Sequence, residues 1–136
     1  MSSYLESAMS YANLNLAVIP LLPKSKKPFF DNWPEIASHD PDIVRRWWKQ
    51  NPDSNIGVAC GQKSQLFVVD VDPKNGGKET YETLVMRHGR FPDTWQDITG
   101  SGGFHMFFRY PNFPVPNAVN LFPGIDVRGD GGQVVV

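Results

Sequence analysis

Two aspartates stand two residues apart in Val69-Asp70-Val71-Asp72. On an extended backbone, residues i and i+2 point to the same face. Asp70 and Asp72 therefore project together, while Phe67, Val69 and Val71 turn into the core. Two carboxylates on one face repel each other unless a proton or a cation lies between them. A hard divalent cation, Mg2+ or Mn2+, suits that geometry because it takes oxygen ligands and often keeps several waters. A plainer reading stays open: Asp72 opens a turn with Pro73, and Asp70 is a solvated edge residue.

A second constellation is Thr99-Gly100-Ser101-Gly102-Gly103-Phe104-His105. Small residues let a backbone approach a ligand closely, and their amides can line up on phosphate oxygens. Ser101 and Gly102 are the nucleotide-binding candidates in this loop. His105 follows on a strand whose apolar side is Phe104, Met106 and Phe108, so His105 and Arg109 share the opposite side. The third constellation is Gly124-Ile125-Asp126-Val127-Arg128-Gly129, in which Asp126 and Arg128 share a face. They can pair with each other or serve a ligand. Asp130, between two glycines, reads as a turn residue. Lys24, Lys26 and Lys27 form a basic loop that could contact nucleic acid or triphosphate, or simply be solvated.

Together the three pieces describe a metal–triphosphate site. Asp70, Asp72 and Asp126 would hold divalent ions, and His105 and Arg128 would bind phosphates. In a two-metal mechanism one ion lowers the pKa of a 3′-hydroxyl nucleophile and the other steadies the departing pyrophosphate.

The elements that must position these groups are legible in the same way. Helical spacing of Leu5, Ala8, Met9 and Ala12 predicts a helix over 4–14. Residues 16–22 read as a buried strand stopped by Pro23. Asp40-Pro41-Asp42 supplies a cap, a proline at the first helical position and an acid in the first turn, so a helix follows to Asn51-Pro52. Strands are expected at 56–59 and 66–72, with a dense turn at 72–77. A helix over 78–88 stops at Gly89. Further strands fall around 95–99 and 104–109. The Pro-rich stretch 111–123 reads as a loop. The end reads as a hairpin of 125–128 and 133–136 joined by Gly129-Asp130-Gly131-Gly132. Strands and helices mix without strict alternation, which favours an α+β fold.

Composition bounds the rest. At 136 residues the chain has the length of one domain. It is 40% hydrophobic and 20% charged, which fits a globular rather than a disordered chain. Thirteen Lys and Arg against 14 Asp and Glu leave a formal charge of -1, without the basic excess usual in nucleic-acid binders. A metal site needs acids, however, and bound cations would offset them. The single cysteine, Cys60, excludes an intrachain disulfide, fits a reducing, cytoplasmic setting and reads as a core residue. No apolar run reaches the length of a membrane span, and the N-terminus does not read as a secretory signal.

These residues, taken together, carry a resemblance. Tyr11-Ala12, Val18-Ile19-Pro20-Leu21, Lys26-Lys27-Pro28 and Trp33 resemble the opening of the N-terminal bifunctional DNA primase/polymerase domain, a branch of the archaeo-eukaryotic primase superfamily found in phage and plasmid replication proteins. Ala37-Ser38, Trp47, Asn55-Ile56-Gly57-Val58 and Gly61 are similar to its middle, and the three constellations to its catalytic motifs. The resemblance spans nearly all of the chain, and its specificity lies in the order and spacing of the pieces together.

The resemblance implies an RRM-like mixed β-sheet catalytic core with flanking helices and a small N-terminal α/β unit. It implies Asp70, Asp72 and Asp126 as Mg2+ or Mn2+ ligands and His105 as a contact to the incoming nucleotide's phosphates. Arg128 is added from its position and charge. The activity implied is template-directed nucleotidyl transfer that makes and extends primers from NTPs or dNTPs on a DNA template. A helicase domain is expected elsewhere in the full replication protein. Two positions differ from the pattern: Gly103 stands where many members carry serine, and Gln133 where the branch often carries an aromatic. The ending Val134-Val135-Val136 reads as a strand, so a domain incomplete at its C-terminus is expected. Two other classes share these features: a nucleotide or single-stranded nucleic-acid binding module without catalysis, and another metal enzyme such as a nuclease or nucleotide-sugar transferase.

Overall fold

The computed structural model describes residues 3–99 and 102–136, and among them the fold is mixed α+β, with four α-helices and two antiparallel sheets. Helix α1 (Ser3–Asn13) leads to β1 (Val18–Leu21), the short α2 (Trp33–Ile36) and α3 (Pro41–Gln50). Strands β2 (Asn55–Ala59) and β3 (Leu66–Val71) follow, then a 3-10 turn at Pro73–Asn75 and α4 (Gly77–His88). Strands β4 (Gln96–Ile98), β5 (Phe104–Arg109), β6 (Ala118–Phe122), β7 (Ile125–Arg128) and β8 (Gln133–Val135) complete the order. No described helix is long and apolar enough to cross a membrane.

Helix α3 begins where its cap predicts. The Asp40 carboxylate accepts from the Asp42 amide at 2.9 Å, and Pro41 occupies the first turn. Its buried face carries Val44 and Trp48, and the Trp48 indole N–H donates to the Ser54 carbonyl at 2.9 Å. Ala8 and Ala12 are small enough to bring α1 against this surface.

The three-stranded sheet runs in the order β1-β2-β8, and the five-stranded sheet in the order β4-β5-β3-β7-β6. Central β3 is apolar on both faces except at Asp70, as a strand covered on both sides over most of its length must be. Val69 and Val71 join Met106 and Ile125 under Tyr81 and Leu84 of α4. Val68 and Phe107 turn the other way, into the cluster built by α1, α3 and β2.

Two expectations change. The stretch 111–123 is not all loop, because β6 forms in the window between Pro116 and Pro123 and pairs with β7 through an irregular register. Prolines on either side of this edge strand masked its proline-free centre. The terminal hairpin does not close: β7 pairs with β3 and β6, whereas β8 pairs with β2 in the other sheet. The Gly-rich segment is a crossover between sheets. A Cβ at Gly129 would overlap the Val115 carbonyl oxygen, and the Asp130 carboxylate accepts from the Gln62 amide at 2.9 Å and the Tyr110 hydroxyl at 2.5 Å. These ties hold the chain away from the return that a hairpin needs. On β5, Phe107 shares the face of His105 as the alternation predicts, and it is buried core.

Candidate active site

Strand pairing places four polar residues in one row. Asp70 of β3 lies opposite His105 of β5 on one side and Asp126 of β7 on the other. His105 in turn lies opposite Asp97 of β4. Antiparallel neighbours sit about 5 Å apart, so the row Asp97, His105, Asp70, Asp126 crosses most of the sheet on one face.

The imidazole stands between two carboxylates. Its Nε2 is 3.6 Å from Asp70 Oδ2, and its Nδ1 is 3.0 Å from Asp97 Oδ1. The Nδ1 contact is close but not aligned as a good hydrogen bond, and neither atom has another partner among the described residues. His105 is only 8% exposed, so its ring has little freedom to turn away. On the far side of Asp70, Arg128 Nη2 donates to Asp126 Oδ2 at 2.9 Å and lies 3.6 Å from Asp70 Oδ2. One guanidinium nitrogen thus faces the carboxylates of two strands. The pairing of Asp126 with Arg128 forms, and it includes Asp70 as well. Asp126 Oδ1 also accepts from the Asn120 amide at 2.6 Å, which ties it to β6.

Burial alone would raise the Asp70 carboxyl. The neighbouring His105 imidazole, then the Arg128 and Lys26 charges, outweigh burial and hold it below its ordinary value. Burial raises the Asp97 carboxyl; His105 opposes that rise, and the negative charge of Asp70 adds to it. The row therefore holds, on the two sides of His105, one carboxylate whose ionisation is favoured and another whose ionisation is disfavoured.

Asp72 follows the end of β3 and caps the 3-10 turn. Its Oδ1 accepts from the Lys74 amide at 3.0 Å and its Oδ2 from the Asn75 side chain at 2.6 Å. It opens the turn with Pro73, and it also lines a cleft of about 420 Å³ with Asn75, Asn120, Gly124 and Asp126. Asp72 and Asp126 thus share this cleft, while Asp70 lies in the neighbouring cluster with His105 and Arg128.

Ser101 lies outside the described residues. Gly102 is exposed in the β4–β5 turn, where its amide donates to the Thr99 carbonyl at 3.1 Å. Gly103 has a steric reason to be glycine: a Cβ there would overlap the Val71 carbonyl oxygen. Its amide donates to Thr99 Oγ1 at 3.0 Å, so a threonine hydroxyl lies beside Gly103. Arg109, expected beside His105, is exposed at the far end of β5 opposite Leu66, and the arginine near Asp70 is Arg128. Lys24, Lys26 and Lys27 are all exposed on the loop after β1. Gln133 of β8 donates to the Lys26 carbonyl at 3.0 Å, and the Lys26 charge reaches Asp70.

Asp97 escaped sequence reasoning. No motif marks it, and its role follows only from the β4–β5 register, which the residues between the strands do not encode.

Among the described residues, no three His, Cys, Asp or Glu side chains gather into a ready cage. The sheet presents instead the adjacent carboxylates Asp70 and Asp126, with Asp72 on the cleft beside them. Carboxylate oxygens are the ligand type that Mg2+ or Mn2+ takes, commonly one or two of them together with waters and substrate phosphates.

A comparison with curated proteins finds no match. The model of the family described as bifunctional DNA primase/polymerase, N-terminal, matches residues 8–136, and the chain belongs to that family.

Proposed function

We propose that this chain is the nucleotidyl-transfer domain of a DNA primase–polymerase, joining NTPs or dNTPs to a growing 3′ end on a DNA template. The observation that carries this reading is the row of Asp126, Asp70 and His105 on adjacent strands, with Arg128 facing both carboxylates. In the reaction the 3′-oxygen bonds to the α-phosphorus, the bond from that phosphorus to the β-phosphate oxygen breaks, and pyrophosphate departs.

Asp70, Asp126 and Asp72 would hold Mg2+ or Mn2+. Bound there, the cations would supply acidification of the 3′-hydroxyl and neutralisation of the phosphates. His105, fixed from its Nδ1 side by Asp97, presents Nε2 to the phosphates. Arg128 places positive charge where charge accumulates on the oxygens in transfer. Lys26, with Lys24 and Lys27 on the same loop, lines the approach for triphosphate or template. The five-stranded sheet with α4 on one face then corresponds to the RRM-like catalytic core, and the β1-β2-β8 sheet with α1 and α3 to the smaller unit. The reading carries with it a phage- or plasmid-type replication protein that works in the cytoplasm with a helicase domain.

The test is incorporation of labelled dNTP on a primed single-stranded template with Mg2+ or Mn2+. Asp70→Ala combined with Asp72→Ala should lower the rate roughly a thousandfold, the scale of several kcal/mol of lost charge stabilisation. Parent-like incorporation by the double variant overturns the assignment. Nucleotide binding by the parent without any incorporation favours a binding module instead.

A further inference from the structure

Trp95 immediately precedes β4 and is 57% exposed. Its carbonyl accepts from the Phe107 amide at 3.0 Å, so it continues the β4–β5 pairing by one step. By that register Trp95 lies opposite Phe107 and shares the face of Asp97 and His105. Its indole stacks on the Phe107 ring, with centroids 5.2 Å apart and planes at 27°. Phe107 is itself buried and meets the His105 ring edge-on at 6.1 Å. The Thr94 hydroxyl donates to the Phe107 carbonyl and pins the same segment. One face of the indole therefore rests on a rigid aromatic support, and the rest of the ring is open to solvent.

We propose that Trp95 is a stacking platform for a nucleobase at the edge of the active site. The proposal deepens the nucleotidyl-transfer reading and rests on it. The reason is the juxtaposition of two kinds of chemistry. A flat indole, held still by Phe107, lies one strand spacing across (roughly 5 Å) and one residue pair along (roughly 7 Å) from His105. His105, Lys26 and Arg128 supply the groups that attract phosphate. A nucleotide joins a flat aromatic base to phosphates through a sugar, so one molecule satisfies both halves of this surface. Stacking tolerates any base, because every base offers a π-face. Trp95 then contributes affinity and orientation without selecting sequence. The base has two possible sources, the incoming nucleotide and the single-stranded template.

The experiment compares the parent chain with Trp95→Ala, Trp95→Leu and Trp95→Phe by calorimetric titration in the presence of Mg2+. The probes are dGTP, tripolyphosphate and an oligo(dT) strand. Loss of a base stack weakens binding by roughly five- to a hundredfold. Trp95→Ala and Trp95→Leu should show that loss, and Trp95→Phe should recover most of it. Tripolyphosphate has no base, so its affinity should not change, which also reports that the phosphate site is still folded. Loss confined to dGTP assigns the platform to the incoming nucleotide, and loss confined to oligo(dT) assigns it to the template; either supports the proposal. If the parent binds the base-bearing probes and the Ala and Leu variants bind them equally well, the platform is overturned while the nucleotidyl-transfer reading stands. If the parent binds none of the three probes, that reading falls and the platform falls with it.

Discussion

Val68 and Asp70 sit two residues apart on β3 and point to the same face of the sheet. Val68 is fully buried in the cluster of α1, α3 and β2, next to Phe107. Asp70, one step further, emerges from that cover and meets His105, Arg128 and, across the register, Asp126. The two ends of this face also treat charge in opposite ways. At the covered end, burial pushes the Cys60 thiol from 9.0 up to about 12, against the opposing charge of Arg128. At the open end, positive neighbours overcome burial and keep Asp70 ionised. The strand is the same; what lies over it differs. Apolar cover makes one half of the face a core, and its withdrawal leaves the other half free to collect charge.

The largest break in this comparison comes from exchanging the two ends. Val68→Asp would bury a carboxylate without a partner and should cost about 4 kcal/mol or more in urea unfolding. Asp70→Val removes a charge that has partners to one side and partial exposure on the other. It should cost less than half as much, about 1 kcal/mol, since Asp70 is partly exposed and Arg128 keeps its 2.9 Å bond to Asp126 when Asp70 is gone. Equal destabilisation by both would mean that the cover does not divide the face.

A smaller effect separates Asp97 from the rest of the row. Asp97→Asn keeps the shape beside His105 Nδ1 and loses the charge, and incorporation should fall about tenfold, in line with groups that orient an active-site imidazole. The loss should appear in kcat more than in KM, and Asp97→Glu should restore part of it. A parent-like kcat in Asp97→Asn would leave Asp97 as a structural neighbour only.

The smallest effect is alkaline. The Cys60 thiol is raised on folding, so the native state holds its proton at a pH where the unfolded chain has released it. Its contribution to stability is full below pH 9 and declines as pH rises from 9 toward 12. Between pH 9 and pH 10 the parent should lose about 1 kcal/mol more than Cys60→Ala. Parallel pH profiles for the two would show that the covered end admits charge.

Much of this molecule is legible locally. The cap at Asp40-Pro41, the apolar spacing of Ala8 and Ala12 and the β-branched run of β3 act over a few residues, so their elements form where expected. The co-facial placement of Asp126 and Arg128 follows from strand geometry alone, and the two do meet. Asp97 and Trp95 were not legible, because their place beside His105 and Phe107 depends on which strands pair and in what register. The terminal hairpin failed for the same reason. Gly129-Asp130-Gly131-Gly132 permits a tight return, but Asp130 is held by Gln62 and Tyr110, from distant parts of the chain.

The amino-acid sequence by itself determined most of the strands and helices, the cap that starts α3 and the shared face of Asp126 and Arg128 on β7. These depend on backbone periodicity and local contacts. Only the tertiary structure decided that Asp97, His105, Asp70 and Asp126 form one row, that Arg128 faces two carboxylates and that Trp95 rests on Phe107. Each of these needs two or more strands brought together across long stretches of chain, and pairing energy is spread over whole strands rather than written at the residues that meet.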